Sequence, residues 1–82
     1  MNAIRCIVSG RVQGVYFRAS TRQVADNLGL AGHAVNLPDG RAEVVASGAT
    51  ESLERLKDYL RTGPNGASVT AVTCEPWNGP VP

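Results

Sequence analysis

The chain has 82 residues, which is enough for one small domain, and its 43% content of hydrophobic residues argues against disorder. Eight basic and seven acidic side chains give a net charge of +1, without the basic bias of most nucleic-acid-binding proteins. No apolar run is long enough to cross a bilayer, and the first residues lack the apolar segment of a signal peptide. We therefore expect a cytoplasmic protein without nucleic-acid or membrane partners.

The first predicted elements are a strand and a helix. Residues 3–9 alternate Ile4, Cys6 and Val8 with more polar side chains, which is typical of a strand with one apolar face. Apolar residues then recur at helical spacing, at Phe17, Val24, Ala25 and Leu28. Ser20 and Gln23 have capping-box spacing, but a start as early as Phe17 fits equally well. Gly29 marks the C-terminal end, with Leu30 placed for the accompanying hydrophobic contact.

The remaining predicted elements are a hairpin of two strands, a second helix and a last strand. Two short strands over residues 33–37 and 41–47 flank Pro38-Asp39-Gly40, a turn in which proline presets its φ and glycine accepts a positive φ. Thr50 is a candidate N-cap of a second helix with a buried stripe of leucines, and Gly63-Pro64 ends that helix. A last strand covers residues 68–75, and the proline-containing tail that follows is not expected to continue it.

The element order is therefore β-α-β-β-α-β. Two split β-α-β units joined by a hairpin most simply form an α+β, ferredoxin-like sandwich: a four-stranded antiparallel sheet with both helices on one face. We expect residues 1–82 to form a single domain, with 77–82 as its tail.

The segment SGRVQGVYFR (residues 9–18) leads from the first strand into the first helix. The first N–H groups of a helix have no intrahelical partner and attract anions together with the helix dipole. Gly10 and Gly14 permit positive φ or close approach to a ligand, and the planar guanidinium of Arg18 can bind two phosphoryl oxygens. The loop is thus a candidate phosphate site, although a tight turn followed by a solvated arginine is the alternative.

The full string GRVQGVYFR closely resembles the signature of the acylphosphatase family, G-R-V-Q-G-V-x-F-R. The family's second element, G-x-x-x-N, is present as Gly32-His33-Ala34-Val35-Asn36. The similarity continues through DGRAEVVASG and through Gly63-Pro64 and Ala67-Ser68-Val69, up to about Glu75. We therefore identify the chain as a member of that family.

This resemblance implies hydrolysis of acyl phosphates to a carboxylate and inorganic phosphate, without a cofactor or metal. The phosphoryl group is then held by the Arg18 side chain and by the loop backbone at Gln13, Gly14, Val15, Tyr16 and Phe17. The resemblance assigns Asn36 to orienting the attacking water. An amide can do this because it accepts one hydrogen bond and donates another without ionising.

Other polar residues near the motifs are assigned structural duties. In a period-2 strand His33 points to the face opposite Asn36, so we expect it to pack or to face solvent rather than act as a base. For Ser20 and Thr21 we expect helix capping or an exposed hydroxyl rather than support of the loop. For Cys6 and Cys74 we favour two thiols over a cross-strand disulfide, because disulfides are rare in the cytoplasm.

Two departures from the family concern the sheet. Family members commonly continue with a further short strand, whereas PWNGPVP stops first, and the edge is either blunted by the prolines or paired with a second chain. The usual aromatic is replaced by His33, which predicts looser packing around Asn36.

We expect a monomer. The alternative functions are a non-catalytic anion-binding domain and an RNA-binding module, and the missing base-stacking aromatics argue against the latter.

Overall fold

The computed structural model describes residues 2–12, 15–64 and 67–79. Its elements are β1 (Asn2–Arg11), α1 (Val15–Asn27), β2 (Ala31–Asn36), β3 (Ala42–Gly48), α2 (Thr50–Thr62) and β4 (Ser68–Pro76). The four strands form one antiparallel sheet in the order β2-β3-β1-β4. The prediction of a ferredoxin-like α+β sandwich is confirmed. Neither helix of the described segments has the length and apolar content needed to cross a membrane.

The core lies between the sheet and the two helices. Alternate residues of β1 supply Ile4, Cys6 and Val8, which are all buried on the helix-facing side. Residues of β3 at the same spacing, Ala42, Val44 and Ala46, are buried beside them. The other face of the sheet, here called the open face, carries no helix. Because strand side chains alternate, each strand contributes one set of residues to the core and one to the open face.

Helix α1 packs through a stripe that includes an unexpected polar residue. Thr21 is 1% exposed and lies one turn after Phe17, which is 2% exposed. The expectation that Thr21 caps a helix or presents an exposed hydroxyl is therefore wrong. Because α1 begins at Val15, Ser20 lies inside the helix, and the capping-box alternative is also wrong.

The end of α1 follows the predicted stop signal. Gly29 has a φ of 74°, its N–H donates to the Asp26 carbonyl at 3.0 Å, and the Leu30 N–H donates to the Ala25 carbonyl at 2.9 Å. This pair of bonds is the Schellman arrangement, in which glycine accepts the left-handed conformation at low cost. Leu30 is buried, so the chain enters β2 already attached to the core.

Helix α2 is amphipathic, with Leu53, Leu56 and Leu60 as its buried stripe. Its N-cap is Ala49, which makes no side-chain capping bond. The prediction of Thr50 as N-cap is therefore wrong: Thr50 is the first helical residue, and its hydroxyl accepts a hydrogen bond from the Asn2 side chain. That contact ties the start of α2 to the start of β1.

Cys6 and Cys74 form a disulfide between β1 and β4. The two residues lie directly opposite each other in the register of these strands, and Cys6 is fully buried among the core residues. The expectation of two free thiols is wrong. It was based on the cellular compartment, whereas the pairing follows from a register that brings the two β-carbons together on the same face.

Candidate phosphate-binding site

The candidate site begins where β1 leaves the sheet. The register between β1 and β4 shifts between Ser9 and Gly10. Gly10 has a φ of 120°, and a Cβ at this position would collide with the Ser68 carbonyl oxygen. The glycine therefore permits the close approach of β1 and β4 at the point where their register shifts.

Helix α1 starts at Val15, so its first N–H groups face the loop without intrahelical acceptors. The first turn contains no acidic side chain that would compete with an anion. Tyr16 is 64% exposed, whereas Phe17 is buried in the core, so only the backbone of Phe17 is available to a ligand. Gln13 and Gly14, which were also predicted to bind phosphate, lie outside the described residues.

Arg18 lies in the first turn of α1 and is half-buried. Its Nε is shielded from solvent and has no hydrogen-bond partner among the described residues. A buried guanidinium N–H without an acceptor is unfavourable, and an anion that accepts a hydrogen bond from it removes that cost. Arg18 lines a depression of about 230 Å³ together with Ala19, Arg22 and Ala34.

Asn36 is the last residue of β2, and its side chain reaches the loop that follows β1. The Asn36 Nδ2 donates a hydrogen bond of 3.1 Å to the carbonyl oxygen of Val12, which is buried. In the strand, Asn36 lies on the same face as Ala34, the residue that lines the depression beside Arg18. The fold therefore brings the two predicted side chains to the same side of the sheet at the same end.

Unpaired positive charge is concentrated at this end of the molecule. Five of the eight basic residues form ion pairs: Arg5, Arg41, Arg55, Lys57 and Arg61. In the described segments, the remaining three, Arg11, Arg18 and Arg22, have no acidic partner within 4.0 Å. All three lie at the end of β1 or in the first two turns of α1. A net charge of +1 thus conceals a local excess that attracts anions.

His33 lies on the open face, away from Asn36. Its Nε2 is 3.6 Å from the Glu43 Oε1, and the Glu43 Oε2 accepts a 2.7 Å hydrogen bond from the Arg5 Nε. The hydrogen bond from Arg5 is the main cause that lowers the pKa of Glu43 below its ordinary value. His33 thus has a carboxylate neighbour on the open face and does not line the depression beside Arg18.

Reasoning from the sequence did not single out Arg22. It lies four residues after Arg18, so both side chains emerge from neighbouring turns of the same helical face. This spacing was available in the sequence, but only the position of β2 beside α1 shows that this face borders a depression. The described residues contain no group of three or more histidine, cysteine or carboxylate side chains able to hold a metal.

Comparison with known proteins extends the similarity over the whole fold. The family model described as Acylphosphatase matches residues 4–81. A curated acylphosphatase from Halorhodospira halophila is 51% identical over 78 residues, covering 95% of this chain and 85% of the relative. An acylphosphatase structure from Coxiella burnetii has a TM-score of 0.89 at 42% identity and covers 94% of this chain and 81% of that one. A crystal structure of the acylphosphatase from Bacillus subtilis has a TM-score of 0.90 at 35% identity and covers 96% of this chain and 88% of that one.

Proposed function

Because the chain belongs to the acylphosphatase family, a family of hydrolases, we propose that it cleaves acyl phosphates by direct attack of water on phosphorus. The bond between phosphorus and the bridging oxygen breaks, and the carboxylate leaves with both electrons. Water supplies the hydroxyl group of the inorganic phosphate, and its other proton is released to the solvent. A carboxylate is a good leaving group, so the reaction depends mainly on positioning and charge stabilisation.

In this proposal Arg18 and the backbone N–H groups at the start of α1 hold the phosphoryl group. The helix dipole and the donors of Gln13, Gly14, Val15, Tyr16 and Phe17 neutralise its oxygens, and the guanidinium adds charge-assisted hydrogen bonds. The support for Arg18 is its shielded Nε, which has no acceptor within the described segments.

Asn36 orients the attacking water. One hydrogen of its Nδ2 is engaged with the Val12 carbonyl, which leaves the second hydrogen and the Oδ1 for a water molecule. That single hydrogen bond carries the proposal, since it fixes the amide beside the loop that would hold the phosphoryl group. A water molecule that donates a hydrogen bond to the Asn36 Oδ1 and accepts one from the Nδ2 is held in a fixed orientation, so its remaining lone pair has a defined direction.

The proposal is tested by hydrolysis of benzoyl phosphate in the presence of a chelator, for the wild type and for Asn36→Ala. We expect a loss of kcat of about 10²-fold or more in the variant. Inorganic phosphate binding is titrated on both proteins, because Asn36 also anchors the loop. Retained phosphate affinity supports a role in positioning water, whereas a parallel loss of affinity and turnover means that Asn36 only holds the loop in place. Phosphate binding without turnover in the wild type would leave a non-catalytic anion-binding domain.

The cytoplasmic location and the monomeric state stay predictions. The disulfide allows a direct test of the cytoplasmic location, since disulfides are uncommon in reducing compartments. Alkylation of protein taken directly from cells, followed by mass measurement, distinguishes the bonded pair from two thiols. A fully bonded pair would argue against the cytoplasm.

A further inference from the structure

Arg22 has no assigned role in the reaction, although it borders the same depression as Arg18. The two arginines lie one helical turn apart on α1, and Ala34 of β2 forms the opposite wall. Arg22 is exposed, and within the described residues it has no acidic partner within 4.0 Å, although Asp26 lies one turn further along. An unpaired guanidinium next to a phosphate site is available for a second anionic group.

We propose that Arg22 binds a carboxylate on the acyl part of the substrate, so that the enzyme favours acyl phosphates whose acyl chain ends in a second carboxyl group. This inference rests on the proposed function. It adds a specificity-determining residue that does not take part in the chemical step.

The distances along α1 fit such a ligand. The phosphoryl group lies at the N-terminus of the helix, and Arg22 follows Arg18 by four residues, or about 6 Å along the helix axis. An extended acyl chain with two methylenes between its carboxyl groups spans a comparable length. Its distal carboxylate therefore reaches Arg22 while the phosphoryl group stays at Arg18.

A second cleft next to the depression limits the length of the acyl chain. Arg22 and Ala34 also line a second, smaller cleft of about 40 Å³, whose walls include Asp26 and His33. The Asp26 carboxylate repels a second anion at this point. A two-methylene spacer therefore fits better than a longer dicarboxylic chain.

The experiment compares kcat/KM for succinyl phosphate and acetyl phosphate, which differ by the distal carboxylate. We measure the ratio of the two values in the wild type, in Arg22→Gln and in Arg11→Gln. Arg11 is the matched control because it is also exposed and unpaired within the described residues but does not line the depression. Because Arg22 is exposed and water competes for it, we expect the ratio to fall about three- to tenfold in Arg22→Gln.

An unchanged ratio in Arg22→Gln would overturn the inference. An equal fall of the ratio in Arg11→Gln would overturn it as well, because it would indicate that the positive electrostatic field of the region, rather than a contact with Arg22, favours the second carboxylate. A binding measurement, which needs no turnover, tests the Arg22 contact separately from the proposed reaction. The methylene phosphonate analogues of the two substrates are titrated calorimetrically on the same three proteins. If no protein hydrolyses either substrate, the proposed reaction is wrong. The affinity ratio of the analogues then still tests the Arg22 contact.

Discussion

The α1 end of the molecule and the open face of the sheet use arginine in opposite ways. On the open face Arg5 bonds to Glu43 at 2.7 Å and to Glu75 at 3.0 Å. At the start of α1, Arg18 and Arg22 have no carboxylate partner in the part of the chain that the structure describes. A carboxylate occupies the same donors that would bind a phosphate, so a paired arginine holds strands together while an unpaired one remains available to a ligand.

The same contrast exists between the two faces of one strand pair. Cys6 and Cys74 join β1 to β4 covalently on the buried face, and the adjacent register pair, Arg5 and Glu75, joins them by an ion pair on the open face. The covalent link is independent of pH and salt in the native range, whereas the ion pair is screened by both water and salt. Neighbouring positions of a strand therefore contribute very different amounts to stability.

The largest expected effect is the loss of activity when the unpaired Arg18 is replaced. Arg18→Gln should lower kcat/KM for benzoyl phosphate by about 10³-fold, because it removes the guanidinium that stabilises the phosphoryl oxygens. Its free energy of unfolding should stay within about 0.5 kcal/mol of the wild type, since none of the described residues forms a hydrogen bond to the Arg18 Nε or an ion pair with Arg18. Arg5→Gln is the matched variant and should do the reverse, with lower stability and near-normal turnover. Similar kinetics in the two variants would contradict the distinction between paired and unpaired arginines.

The second prediction concerns the covalent link. The disulfide closes a sequence separation of 68 residues, so reduction should lower the free energy of unfolding by about 3–4 kcal/mol. Urea unfolding is measured with and without a thiol reductant, and the double variant Cys6→Ala, Cys74→Ala serves as control. The control should show no dependence on reductant. A wild type equally stable in both conditions would mean that the two cysteines are not joined in solution.

The smallest effect concerns pH. The hydrogen bond from Arg5 holds the pKa of Glu43 below its ordinary value, so the unfolded state binds the proton more readily. The resulting stabilisation is fully present above the unfolded pKa, about 4.3, and is lost as the pH falls through the lower folded value. Glu43→Gln should therefore flatten the acid side of the stability curve, by a few tenths to about 1 kcal/mol.

Unfolding in urea between pH 3 and pH 6 measures that slope. Glu51→Gln is the control, because its carboxylate is 85% exposed and lies 3.8 Å from Arg55. Its slope should stay close to that of the wild type. Equal slopes in the wild type and Glu43→Gln would show that the hydrogen bond between Arg5 and Glu43 does not contribute to acid stability.

The elements of the fold could be predicted because each has a local signal. Period-2 alternation in β1, the leucine stripe of α2 and the Gly29 stop are properties of short segments, and all three are present in the structure. The predictions that were wrong concerned Thr50 as a cap, the exposed hydroxyl of Thr21 and the free thiols. The first depends on the residue at which the helix begins and the other two on which surface a residue faces, and spacing within one element decides neither.

Membership of the acylphosphatase family and the ferredoxin-like architecture were determined by the sequence itself, through a nine-residue motif and a regular order of strands and helices. Tertiary structure decided how distant residues meet. The register of β1 against β4 pairs Cys6 with Cys74, the antiparallel sheet carries Asn36 to the Val12 carbonyl, and the packing of α1 beside β2 makes Arg22 a wall of the depression. Local propensities set the type of each element, but a contact between two elements depends on the register and packing that only the folded chain provides.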